Sequence, residues 1–126
     1  YTAILQWLYD HLAPGGHLVL TTPALPMDPP DVYYGHVQHF DLNHLTGCMR
    51  RMGYDVTFAR RWGFPLFTLQ KYLTRRFFDR VRSNFMEGSL TVPMKILFHV
   101  AYAAYFMHDC IPWGPQIFIR AIKPKN

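Results

Sequence analysis

The sequence predicts an α/β fold, and three observations carry that expectation. Leu18, Val19 and Leu20 form an unbroken apolar run, which suits a strand covered on both faces of a sheet. Tyr54, Val56 and Phe58 alternate with Asp55, Thr57 and Ala59, the period of a half-buried strand. Around these runs the apolar residues fall at helical spacing, so that strands and helices interleave along the chain.

Taken in order, Ile4, Leu5, Leu8 and Leu12 place an amphipathic helix over Thr2 to Ala13. Pro14 stops it, and Gly15-Gly16 can take the positive φ that turns the chain back into the first strand, which ends near Thr22. Four prolines (Pro23, Pro26, Pro29 and Pro30) then predict a long connection without regular structure, running to about Phe40. Asp41 is a suitable N-cap for a helix with Leu42, Leu45, Met49 and Met52 on one face, and Gly53 is placed to end it. The strand from Tyr54 to Ala59 is broken by Gly63 and Pro65. Residues 65 to about 86 return to helical spacing, with Leu66, Leu69, Leu73, Phe77, Val81 and Phe85 on one face. Glu87-Gly88-Ser89 reads as a turn, Pro93 as the first turn of a helix to about His108, and Ile117 to Ile122 as a last strand. The helix from Pro93 is too short for a bilayer crossing and contains Lys95 and His99.

The stretch His11-Leu-Ala-Pro-Gly-Gly, its following strand and Thr22-Pro23 resemble the second half of class I S-adenosylmethionine-dependent methyltransferases. Tyr34-Gly-His-Val-Gln-His-Phe-Asp-Leu-Asn-His-Leu45 and Arg51-Met-Gly-Tyr-Asp-Val56 resemble that family's next helix and strand, so that about half of the chain is covered. The resemblance implies the C-terminal part of a Rossmann-like sheet of three strands. The last of them runs antiparallel between the other two. It divides the chain into a partial core, residues 1–63 and 110–126, and a helical insertion, residues 64–109, that caps an acceptor site or lies on a membrane. In the family the cofactor site comes mainly from the first half. This chain has no G-x-G-x-x-G turn, and Gly15-Gly16 precedes a strand rather than opening a helix. The resemblance therefore places S-adenosylmethionine in the full-length protein. No cofactor-binding residue is expected in this chain, which alone is expected to be inactive. Tyr1 begins inside a helical pattern, without a starting Met or a signal-peptide layout, so the chain reads as part of a longer protein.

In open α/β sheets ligands sit outside the carboxyl ends of the strands, which puts the proline-rich loop beside a binding crevice. His36 and His39 stand in that loop, where a neutral imidazole could take a proton from a methyl acceptor. The alternative is that they hydrogen-bond the loop backbone. His39 is favoured as base because Asp41 is close in sequence. Tyr33, Tyr34, Phe40, Trp62, Phe64 and Phe67 could line an apolar acceptor pocket or belong to the core. His36, His39 and His44 match no standard metal spacing and no cysteine joins them, so no metal is expected.

Of 126 residues half are hydrophobic and 17% aromatic, which argues against disorder. The formal charge is +5, and five of the basic residues, Lys71, Arg75, Arg76, Arg80 and Arg82, are concentrated in one segment. This basic segment reads as a solvated face or, with bulky apolar residues opposite, as a membrane-surface helix. Nucleic acid is not expected, since no recognised module accompanies the charge. Cys48 and Cys110 form no metal or redox motif and read as free thiols of a cytoplasmic protein. The function expected is the acceptor-binding half of a methyltransferase for a small or lipid-like acceptor. A non-catalytic interaction or membrane-surface module is the alternative, and the open flank of the first strand invites self-association.

Overall fold

The computed structural model describes residues 1–87, 91–105 and 111–125. Its elements are α1 (Thr2–His11), β1 (His17–Pro23), α2 (Pro29–Tyr33), α3 (Leu42–Arg51), β2 (Asp55–Trp62), α4 (Leu66–Arg76), α5 (Phe78–Glu87), α6 (Val92–Tyr105) and β3 (Gln116–Ile122). The three strands form one sheet in the order β1-β3-β2, with β3 antiparallel to both neighbours. The last strand therefore lies in the middle, as expected. Leu18, Leu20 and Thr22 oppose Ala121, Ile119 and Ile117, and this alternate set faces the core.

That core is built on one side of the sheet. Ile117, Ile119 and Ala121 are fully buried against Leu5 of α1, Leu45 and Met49 of α3, and Tyr54. The Tyr54 hydroxyl donates to the Leu5 carbonyl at 2.9 Å, which ties the start of β2 to α1. Asp41 caps α3 as expected, its carboxylate accepting the His44 amide at 2.9 Å. Gly53 leaves that helix at φ +98° and Gly15 turns the chain at φ +76°.

Four expectations need correction. The run Leu18-Val19-Leu20 is not covered on both faces, because Val19 is 70% exposed beside Arg120. An apolar triplet cannot by itself report whether a second layer packs on the sheet. The alternation in β2 is interrupted by a register shift between Val56 and Phe58. Val56 opposes Ala121, whereas Phe58 opposes Arg120, so the bulge sends Phe58 to the other face. The proline-rich connection is not without regular structure, since it contains α2. Pro29 and Pro30 open that helix, where their missing N–H groups would lack helical partners anyway. Finally, residues 65 to 86 form two helices, α4 and α5, separated at Phe77. Leu69, Leu73 and Phe77 are each about half exposed, and α4 buries no residue.

Residue 87 ends α5, while the rest of the expected turn at 88–89 and the end of the last predicted helix near His108 lie outside the described residues. So does Cys110, whereas Cys48 is a buried free thiol. Among the described residues no helix is long and apolar enough to cross a membrane.

Candidate functional site

The loop after β1 folds into a polar cluster. Asp28 and Asp31 close the first turn of α2 on each other: the Asp28 amide donates to Asp31 Oδ2 at 2.8 Å and the Asp31 amide to the Asp28 carbonyl at 2.9 Å. The two carboxylates also meet α4. Lys71 Nζ lies 3.1 Å from Asp31 Oδ2 and 3.7 Å from Asp28 Oδ2, and Arg75 donates to Asp28 Oδ1 at 3.0 Å. Burial opposes the charge on Asp31, but the Asp28 amide, Lys71 and His39 outweigh it and hold its carboxyl below the usual value.

His39 sits at the bottom of this cluster with its side chain fully buried. Its Nδ1 lies 3.2 Å from the Ala24 carbonyl and 3.3 Å from the Pro26 carbonyl. Carbonyls only accept, so Nδ1 carries a proton and Nε2 is turned into the cluster. That Nε2 faces His36 Nδ1 at 3.1 Å and Asp31 Oδ2 at 3.7 Å, while His36 Nδ1 is 3.7 Å from Asp31 Oδ1. His36 is 43% exposed and is the member of the set that solvent or a ligand can reach.

The structure thus brings His36 and His39 together, but the carboxylate beside His39 is Asp31. Asp41, the reason for favouring His39, is spent on capping α3. His44 does not join the cluster; its Nε2 contacts the Tyr1 hydroxyl at 3.0 Å. Asp28 and Asp31 were not singled out in the sequence, where Lys71 and Arg75 stood only as part of a basic segment and not as counter-charges to this acidic pair. The signal available was Asp28-Pro-Pro-Asp31, an N-cap and an acidic third residue around two prolines.

The aromatic residues do not gather in one pocket. Tyr33 and Tyr34 pack edge-on against Phe78 of α5. Phe40 packs on the core and meets the Tyr1 ring. Trp62 contacts Phe67, Tyr105 and Phe118. Phe64 contacts Trp113. A cleft of about 190 Å³ does lie beside the end of β1, between Leu25, Arg61, Lys71, Tyr72, Arg75 and Trp113. Arg61 is fixed there, donating from Nε to the Gly114 carbonyl at 2.7 Å and stacking its guanidinium over Trp113 at 5.6 Å. The cleft shares Asp28 with the polar cluster. Of the five basic residues, Lys71 and Arg75 turn to the acidic pair, Arg76 lies over Phe77 and Arg82 over Tyr33.

No family model matches the sequence, and no curated protein matches it.

Proposed function

We propose that this chain is the acceptor-side half of an S-adenosylmethionine-dependent methyltransferase acting on a small or lipid-like acceptor. The observation that carries the reading is the strand order β1-β3-β2 with β3 antiparallel in the centre, the arrangement the sequence resemblance implies. The cleft beside the end of β1 supports it, because ligands of open α/β sheets bind outside the carboxyl ends of the strands. Methyl transfer needs donor and nucleophile held in line more than it needs covalent help from the protein. In this reading Arg61, Tyr72 and Trp113 orient the acceptor, and the donor is bound by the half of the sheet that carries a glycine-rich turn. The test is methyl transfer by the chain joined to that half. Labelled methyl passing from S-adenosylmethionine to an acceptor is expected; absence of any heat on titrating S-adenosylmethionine into the joined protein overturns the reading.

A second reading, a module lying on a membrane surface, draws on another observation. Leu69, Leu73, Ile96 and Leu97 are exposed on α4 and α6, and Arg76, Arg80 and Arg82 flank them in sequence. Flotation with anionic liposomes separates the two. Binding lost in a variant with Arg76, Arg80 and Arg82 replaced by Glu, without methyl transfer by the joined protein, favours the module.

A further inference from the structure

The geometry points to a divalent transition-metal site, of the type that takes zinc or cobalt, formed by Asp31, His36 and His39. The inference is independent of methyl transfer, since it concerns only side chains of this chain. Two imidazoles and a carboxylate are a donor set such ions accept, with metal–ligand distances of about 2.0–2.2 Å. Ligands held at those distances around a tetrahedral ion lie roughly 3.3 Å from one another. Here His36 Nδ1 and His39 Nε2 are 3.1 Å apart, Asp31 Oδ1 is 3.7 Å from His36 Nδ1, and the other carboxylate oxygen, Oδ2, is 3.7 Å from His39 Nε2. With one donor atom taken from each residue, the three lie within 4.8 Å of one another, near enough for side-chain rotation to bring them onto one ion.

Two further features favour an ion over a simple hydrogen-bonded trio. Metal-binding histidines donate their other N–H to a carbonyl or carboxylate, which fixes the tautomer and aims the lone pair. His39 does this through Nδ1 to Ala24 and Pro26, so its Nε2, the atom that would ligate, is directed into the cluster. Asp31 Oδ2 is occupied by the Asp28 amide and Lys71, which orients the carboxylate and leaves Oδ1 toward His36. One ligand is buried and one is 43% exposed, which gives the ion a path in and an outward position for a fourth ligand. Asp28 and Asp31 balance Lys71 and Arg75, so the ion's charge is added to a neutral cluster. The Lys71 ammonium nevertheless opposes it at 3.1 Å from the shared carboxylate.

That opposition makes the site testable in both directions. Cobalt(II) is titrated into the full chain near neutral pH, reading visible absorption and stoichiometry, with zinc(II) as the displacing ion. One cobalt per chain with intensified absorption that zinc removes is expected. His36→Gln, at an exposed position and with its fold checked by circular dichroism, should weaken binding by about tenfold or more. Lys71→Gln should tighten it. Absence of one-to-one binding, or a cobalt affinity unchanged in His36→Gln, overturns the site. Since no donor or acceptor is present in this experiment, its failure leaves the methyl-transfer reading where it stands.

Discussion

Replacing Asp31 by Asn removes one negative charge with almost no change of shape, and its cost can be worked from the contacts. The carboxylate accepts the Asp28 amide at 2.8 Å and faces Lys71 at 3.1 Å. Asn can keep an oxygen toward the amide, so the term lost is mainly the charge pairing with Lys71. The two side chains are 13% and 21% exposed, between a surface pair worth about 0–1 kcal/mol and a buried pair whose breaking costs about 3–5 kcal/mol. A hydrogen bond to a charged group contributes about 1.5–3 kcal/mol, which places the expected loss at about 2 kcal/mol. Urea unfolding in the presence of a chelator measures it free of any metal contribution, with Lys71→Gln and the double variant completing a cycle. A coupling of about 1 kcal/mol between the two positions is expected. A loss below about 0.5 kcal/mol with no coupling would refute the reasoning, and the pair would then be an ordinary solvated contact.

Three more outcomes are expected. Met49→Ala empties a position with no exposed surface under the sheet and should cost about 2–5 kcal/mol in chemical denaturation. Burial, with Tyr9 and Asp10 adding to it, raises the Tyr54 hydroxyl above its usual value of 10.0. The folded state therefore keeps a proton that the unfolded state loses. The stability tied to this group is full below about pH 10 and falls as pH rises further, a decline that Tyr54→Phe should flatten in pH-dependent unfolding curves. Gly114→Ala should prevent normal folding, seen as lost cooperativity in thermal melts, because at φ +141° a Cβ would collide with the Trp62 backbone.

What the sequence disclosed follows from periodicity. Leu45 and Met49 recur on one helical face and are the deepest residues of α3; Ile117, Ile119 and Ala121 alternate along β3 and are equally deep. The caps were legible for the same reason, since Asp41 and Gly53 act within a few residues of themselves. Phe58 was misplaced because a bulge changes the facing of every later residue without any mark in composition. The acidic pair escaped notice for a different reason. Asp28 finds Arg75 across 47 positions, and a pairing over that distance belongs to the packing of α2 on α4. The basic segment, read as one charged surface, is in fact divided: Lys71 and Arg75 face the acidic pair, and Arg76 and Arg82 cover aromatic rings.

The prolines that made the loop look shapeless are what fix its shape. Its two ends are tied by the bridge between Ala24 and Phe40, with the Leu25 amide donating to the Phe40 carbonyl at 3.0 Å and the Phe40 amide to the Pro23 carbonyl at 3.2 Å. Loop-closure cost grows only slowly with length, so this short ladder and the contacts of His39 with Ala24 and Pro26 can hold a long connection. Within the loop, Pro29 and Pro30 restrict φ before folding begins, which lowers the entropy lost when α2 forms. A five-residue helix is far too short to persist alone. It persists here because its prolines, its reciprocal aspartates and the cations of α4 each reduce that cost, and because its Asp31 stands opposite a ring that the loop's own carbonyls hold in place. The same contacts that order the loop also bring donor atoms of Asp31, His36 and His39 within 4.8 Å of one another, so the stability of this segment and the arrangement of the cluster rest on one set of bonds.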